Sequence, residues 1–579
     1  MCSILIGLLP HIYSSVHQTS VHSIPNVTFS SFPARLQFYP RDISDSAEVK
    51  FAGSMNTTGY DSLIIRVFRN NVPWKNLSVK LNYTGSTASF IVSPKIHAEL
   101  SEFKFVLYAK NNTALDSVAS RDSIICGDVY LINGQSNSHP INSSANYRNE
   151  FCRSFGKNTD INIYNPADTL WGFARGEDAV NFHTGVWGIK LQQYIVDTYG
   201  IPVCILNGGS GGSRIEHNLR NNSNHEDLTT TYGRLLYRVR KAGLQNSIKA
   251  MMWYQGESNT DSSYYNYINY FTQLRSAWLE NFPGVSRIYV FQVRMGCVQT
   301  LRVYQTQLRE NLRKLKDHFP DVELMSSVGV QGHDGCHYNF NGYNETALNI
   351  FRLVSRDFYH GTDTMDIEAP NIKSAAFITP ERNRLRLIFD GNCTLVWPAD
   401  TLGRSLYSYF YFDTVTYGVI SSHLISGDTL ILNLTGTVNA SNVSYLPNIY
   451  YNGTSTVYQG PWLRNSRRVS ALSFYRFPIS TFVSVEPETV VPSDFYLSQN
   501  YPNPFNPETE ILFGLPEKNE AEINIYDING KLASRLVKGF FNPGNYKVKW
   551  NAEGYSSGIY FYVLSVAGKK QTKKMIVVK

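Results

Sequence analysis

The sequence predicts a multidomain protein in which an α/β core is flanked by all-β sandwich domains. Two observations carry that expectation. Between about residues 121 and 360, apolar strand-like runs alternate with longer segments of helical period, the signature of βαβ units and a parallel sheet. On either side the text breaks into short alternating runs separated by Asn, Gly, Ser and Thr turns, which is the pattern of antiparallel β domains. A chain of 579 residues also exceeds what one core organises, so about three or four domains are expected.

Taken in order, residues 1–23 read as a leader: "ILIGLLPHIY" resembles the apolar centre of a signal peptide, without the basic residues that normally precede one. Residues 24–120 contain "SLIIRVF", "SFIVS" and "FKFVLYA" and are expected to form a β-sandwich. The core is assigned to 121–362, with strands at 128–132, 202–206, 248–253, 287–293 and 322–328. Tyr267, Tyr270, Phe271, Leu274 and Trp278 make one helical stripe, and Leu301, Leu308, Leu312 and Leu315 a second, both suited to packing on a sheet. Residues 363–481 return to β character in "RLRLIF" and "TLILNL". The Pro-punctuated 482–494 reads as a linker, and 495–579 as a separate β unit in which Asn529-Gly530 turns a hairpin after "EINIYDI".

Composition narrows the classes. Charged residues make up 17% and aromatics 13%, which excludes a largely disordered or coiled-coil chain. The formal charge of +7 is thinly spread and densest in the final "KKQTKKMIVVK", so no nucleic-acid footprint is expected. Apart from the N-terminal stretch, no segment approaches the roughly 20 apolar residues that cross a bilayer, so the chain is not expected to span one. Seven scattered cysteines show no zinc spacing.

In an open parallel sheet, ligands bind outside the carboxyl ends of the strands. Four polar, glycine-rich loops fall at such ends: "NGQSN" after the first strand, "NGGSGGSRIEHN" (207–218) after the second, "YQGESN" (254–259) after the third and "GHDGCHYN" (332–339) after the fifth. Together they offer the parts acyl transfer needs. Ser136 is the candidate nucleophile, His337 the base that would take its proton, and Asp334, three residues earlier, the acceptor that would orient the imidazole. Backbone N–H groups at Ser136 and at Gly211 or Gly212 suit an oxyanion, and Gln135, Gln255 and Asn259 are further candidates for holding substrate or oxyanion. Ionised Glu257 cannot donate and is expected to orient a loop or bind Arg214. Trp253 is expected in the core, and His183, His217 and His333 as packing or loop residues.

These blocks, "GQSN", "GGSGGS", "WYQGESN" and "DGCHYN", resemble those of the SGNH hydrolase superfamily, specifically the sialate O-acetylesterase-like carbohydrate esterases, across about 121–360. The resemblance implies a flavodoxin-like sheet, a Ser-His-Asp triad of Ser136, His337 and Asp334, and removal of acetyl groups from sugar hydroxyls without a metal or other cofactor. The first and third blocks depart from the common Gly-Asp-Ser and Gly-x-Asn-Asp, which leaves the third oxyanion donor open between Gln255 and Asn259. The tail, with "LSQNYPNPFNPET" (497–509) and a basic end, resembles a type IX secretion C-terminal sorting domain. That implies engagement of the type IX machinery, export through a bacterial outer membrane, and a secreted or surface-attached product acting on an O-acetylated glycan.

Two other readings compete. A metal-dependent hydrolase would use His333, Asp334 and His337, although further ligands in the other strand-end loops are sparse. A non-catalytic surface glycan-binding protein would bind through its β domains. In an exported protein Cys297 and Cys336, each following a strand end, are also candidates to pair and pin the His337 loop.

Overall fold

The computed structural model describes residues 25–579 except 113, 158–163, 295–303, 391–392, 414–417, 447–457, 481–491 and 493. The expected leader, Leu301 and most of the linker therefore lie outside the described residues. Four separate hydrophobic clusters organise the rest, one in the N-terminal β region, one in the α/β core, one in the following β region and one at the C-terminus.

The core sheet is built from β1 (Leu115–Gly134), β2 (Cys152–Phe155), β3 (Trp171–Phe173), β4 (Val203–Asn207), β5 (Ile248–Tyr254), β6 (Arg287–Gln292) and β7 (Val322–Ser326). Its order is β3-β2-β4-β1-β5-β6-β7, parallel except for β3. The five strands expected from sequence thus lie in the order second, first, third, fourth, fifth, the doubly wound arrangement with its switch point between β1 and its two neighbours. Val129, Tyr130, Leu131 and Ile132 are fully buried because helices cover both faces, which is why these strands read as unbroken apolar runs. β3, at the edge, and β2 beside it were not expected.

The helices are α1 (Val186–Tyr199), α2 (Thr231–Lys241), α3 (Tyr267–Asn281), α4 (Gln305–His318) and α5 (Phe340–Tyr359). The first stripe packs inward from α3, with Tyr267, Phe271, Leu274 and Trp278 buried and Tyr270 only partly so, and Leu308, Leu312 and Leu315 do the same on α4. Trp253 is fully buried and donates its indole N–H to the Tyr267 hydroxyl, as a core residue.

β1 does not respect a boundary at 120. Its first half pairs antiparallel with Phe103–Lys110 in the N-terminal region, and its second half, from Asp128, enters the core sheet. The change falls at Ile124, where alternating exposure gives way to continuous burial. The N-terminal region packs the strands Val27–Ser31, Phe51–Met55 and Ala88–Val92 against Ser62–Arg69, Val72–Lys80, Phe103–Lys110 and the start of β1, with Phe51 and Phe105 in contact between the two layers. A buried ion pair fastens it to the core: Arg41 grips Asp128 in two bonds of 2.8 and 2.7 Å, and Asp128 also accepts from the Tyr359 hydroxyl at 2.7 Å. Removing one partner of such a pair strands a buried charge, so Asp128→Ala is expected to cost about 3 kcal/mol, measurable as a lower denaturation midpoint.

After α5, a seven-stranded antiparallel-dominated sheet spans Ile372 to Ser480 in the order Phe410–Phe412, Asn442–Tyr445, Phe474–Ser480, Ile372–Phe377, Arg384–Phe389, Thr429–Leu434, Ile420–Ser426. It docks on the core through buried polar bonds. The Gln292 carboxamide exchanges two bonds with the Ser473 backbone (2.9 and 2.8 Å), and Arg309 donates to the Ser473 hydroxyl and the Leu446 carbonyl. At the C-terminus a three-stranded and a four-stranded sheet enclose a core that includes Ile511, Phe513, Ile523 and Tyr562. The expected hairpin turns at Asn529-Gly530, where Gly530 has φ 79°. Among the described residues no helix is long and apolar enough to cross a membrane.

Candidate active site

Each strand-end loop is shaped by its own sequence. Gly134 closes β1 at φ +142°, and a Cβ there would lie 2.0 Å from the Tyr254 carbonyl oxygen, so only glycine lets β1 and β5 end side by side. Ser136 then opens a short 3-10 turn, Ser136–Ser138, fixed by the Ser138 hydroxyl and N–H, both donating to the Gln135 carbonyl. In the fifth loop the Asp334 carboxylate accepts the backbone N–H groups of Cys336 and His337, each at 2.7 Å, while the Asp334 N–H donates to the His337 carbonyl. Gly335 supplies the positive φ (+106°) this turn needs, and Asn339 caps α5 directly after it.

These turns bring residues 201 apart into contact: His337 Nε2 lies 2.9 Å from Ser136 Oγ. On the far side of the ring, Asp334 Oδ2 is 3.9 Å from Nδ1, an ion-pair distance that is too long for a hydrogen bond. Burial alone would raise the Asp334 carboxyl, but the N–H groups of Cys336 and His337, aided by the His337 ring, hold it below the usual carboxylate range. The side chains of His337 and Asp334 are 46% and 69% exposed, so the site is open rather than enclosed. Among the described residues the Ser136 N–H has no acceptor.

The other candidates are placed as follows. Gly211 and Gly212 form an exposed turn beyond β4, with Gly212 at φ +64°. Gln135 directs Oε1 at three donors, Gln255 Nε2, Gly256 N and Ser258 N. Gln255 spends its amide hydrogens on Gln135, the Ser213 carbonyl and Asn259, and accepts from Tyr267. Asn259 donates to Glu216 and Ser263. These carboxamides bind loop to loop, and the sequence could show their donors but not their partners.

Glu257 is buried and accepts from the Asn137 carboxamide at 2.8 Å. Arg214 is not its partner: the guanidinium pairs in two bonds with Asp261, at 2.8 and 2.9 Å, and also meets Glu216. Asp261 and Glu216, half-buried beside the guanidinium, take it in place of the fully buried Glu257 carboxyl. Asn137, expected as an amide flanking Ser136 to hold substrate or oxyanion, instead ties loops together, as does Asn207 by donating to the Ser138 and Thr184 carbonyls.

Cys336 is disulfide-bonded; Cys297, the partner suggested by sequence, lies outside the described residues. Among the described residues no group of three or more His, Cys, Asp or Glu side chains is arranged to hold a metal ion. His217 sits in a surface turn, accepting from the Arg214 N–H, and His333 is half-buried against Tyr338. His183 is buried with Nε2 at the His139 carbonyl, and burial pushes it from 6.5 down to about 4. Its neutral form therefore stabilises the fold fully above pH 6.5, and that contribution, about 3 kcal/mol, is lost as pH falls towards 4. The expected result is a melting temperature that drops across this window, with a shallower drop in His183→Gln.

The chain carries a carbohydrate esterase domain on this parallel sheet. Residues 126–354 match the family described as carbohydrate esterase, sialic acid-specific acetylesterase, and form a domain of that family. Residues 499–578 match the secretion system C-terminal sorting domain, so the protein is exported across the outer membrane and is secreted or attached at the surface. The fold is similar to that of a carbohydrate acetylesterase from Xanthomonas citri, with a TM-score of 0.51 and 17% identity over 78% of this chain and 99% of that one. A likeness to β-glucuronidase 3 of Bacteroides uniformis (TM-score 0.21, 10% identity, 96% of this chain and 76% of that one) is too slight to bear on the fold. No curated protein matches the chain.

Proposed function

We propose that this esterase removes O-acetyl groups from the hydroxyls of a sialic acid or an acetylated polysaccharide, through an acyl-enzyme on Ser136. His337 takes the serine proton as Oγ attacks the acetyl carbonyl, then returns it to the departing sugar oxygen; water repeats the sequence to release acetate. Asp334 shapes the turn that presents His337 and stabilises the imidazolium from the Nδ1 side. The tetrahedral oxyanion is held by the backbone N–H of Ser136 and by the Gly211-Gly212 turn. Gln135, Gln255 and Asn259 keep the loops in register.

The single observation that carries this reading is the 2.9 Å contact between Ser136 Oγ and His337 Nε2. The exposure of His337 and Asp334 supports a polymeric or branched glycan, whose acetyl group reaches the serine from outside. The test is a panel of acetylated sialosides, xylo-oligosaccharides and pectin fragments, incubated with the wild type and with Ser136→Ala, with released acetate as the readout. Acetate from one class with the wild type alone supports the reading and names the sugar. Binding of glycan without acetate release would replace it with a non-catalytic binder.

A further inference from the structure

Ser136 and His337 lie on loops 201 residues apart in the chain, and their own 2.9 Å contact is a single exposed bond. Next to it is a buried link that spans three loops. Asn137, the residue after the serine, donates one amide hydrogen to the Cys336 carbonyl at 2.9 Å, and Cys336 immediately precedes the histidine. It donates the other to Glu257 Oε1 of the third loop at 2.8 Å. Its own Oδ1 accepts from the Tyr343 hydroxyl at 2.7 Å, and its backbone carbonyl from the Trp187 indole at 2.9 Å. Every polar atom of the Asn137 side chain is thus used, and it is fully buried.

Glu257 is the unusual member. A carboxyl that is 2% exposed, with Oε2 left without a partner among the described residues, is costly to bury and needs a reason. Burial raises it to about 7. The hydroxyls packed around it, Tyr254, Tyr267, Tyr338 and Tyr343, are all raised by burial, so they present it with no neighbouring charge. In either protonation state Oε1 can accept from Asn137, and that acceptor fixes which way the carboxamide faces. With the amide reversed, an oxygen would oppose the Cys336 carbonyl and the link to the histidine loop would be lost.

We propose that Asn137 and Glu257 are positioning residues, Glu257 orienting the Asn137 carboxamide so that it fixes the His337 loop at bonding distance from Ser136. This rests on the serine mechanism above. The probe is p-nitrophenyl acetate, too small to report on sugar contacts. Glu257→Gln keeps volume and an acceptor oxygen, so kcat is expected within about threefold of wild type. Glu257→Ala and Asn137→Ala are each expected to lower kcat about 30- to 100-fold with KM little changed, and the double variant to be no worse than Asn137→Ala, because both act through one link. Glu257→Met, which fills the space without an acceptor, is expected to lose kcat like Glu257→Ala and serves if the alanine variant does not fold.

Full kcat in Glu257→Met or Glu257→Ala, a change confined to KM, or losses that multiply in the double variant would overturn the proposal. Ser136→Ala keeps the two ideas apart. If it retains wild-type turnover, the serine mechanism fails; if it is inactive while Glu257→Ala and Glu257→Met keep full kcat, only the positioning role fails.

Discussion

Ser136→Ala is expected to lower kcat on acetyl esters by about ten-thousandfold or more, with the folded protein otherwise unchanged. The size follows from what is removed. An acyl-enzyme route divides one difficult hydrolysis into two easier steps, and without Oγ no acyl-enzyme forms. Only the oxyanion donors and bound-substrate positioning remain, and these supply a small part of the acceleration. The substitution deletes one half-buried hydroxyl whose partner is the exposed His337 ring, so a stability effect of only a few tenths of a kcal/mol is expected. The measurement is kcat on p-nitrophenyl acetate together with the melting temperature. Turnover within tenfold of wild type would assign the attack to another group.

The second large effect is expected from His337→Ala, about a thousandfold or more in kcat. A serine hydroxyl is a poor nucleophile near neutrality unless its proton leaves as it attacks, and Nε2 at 2.9 Å is placed to take it. Among the described histidines the alternatives are spent or remote: His183 is buried at the His139 carbonyl, and His217 accepts from the Arg214 backbone. Because the His337 side chain is 46% exposed, its removal leaves a gap open to solvent. Free imidazole at millimolar concentration is therefore expected to restore part of the rate in His337→Ala and none in Ser136→Ala. A loss of less than tenfold in His337→Ala would contradict the assignment.

The α/β core was legible because burial on both faces leaves an unbroken apolar run, as in Val129 to Ile132. β2 and the edge strand β3 escaped because three or four residues, one of them Arg153, are too short to show any period. A seam at residue 120 leaves no mark on the backbone, because β1 keeps one direction while its surroundings change, and only the shift in side-chain pattern at Ile124 marks the passage. At the site, glycine-rich strand ends pointed to the rim, since Gly134 and Gly335 are needed for turns that nothing else accommodates. Partnerships were not legible. Gln255 and Asn259 advertise donors without saying where these go, Arg214 chose Asp261 over Glu257, and the Cys336 carbonyl that Asn137 holds leaves no mark in a sequence.

The passage of β1 through both sheets also governs how the protein can be dissected. Cutting at residue 120 would split a continuous beam, taking Arg121 and Ile124 away from their partners Phe105 and Phe103 and baring the buried Ile124 to water. The smallest autonomous esterase is therefore not the segment that carries the chemistry. It must include the preceding β layer, which acts as the chassis on which the strand leading to Ser136 is mounted.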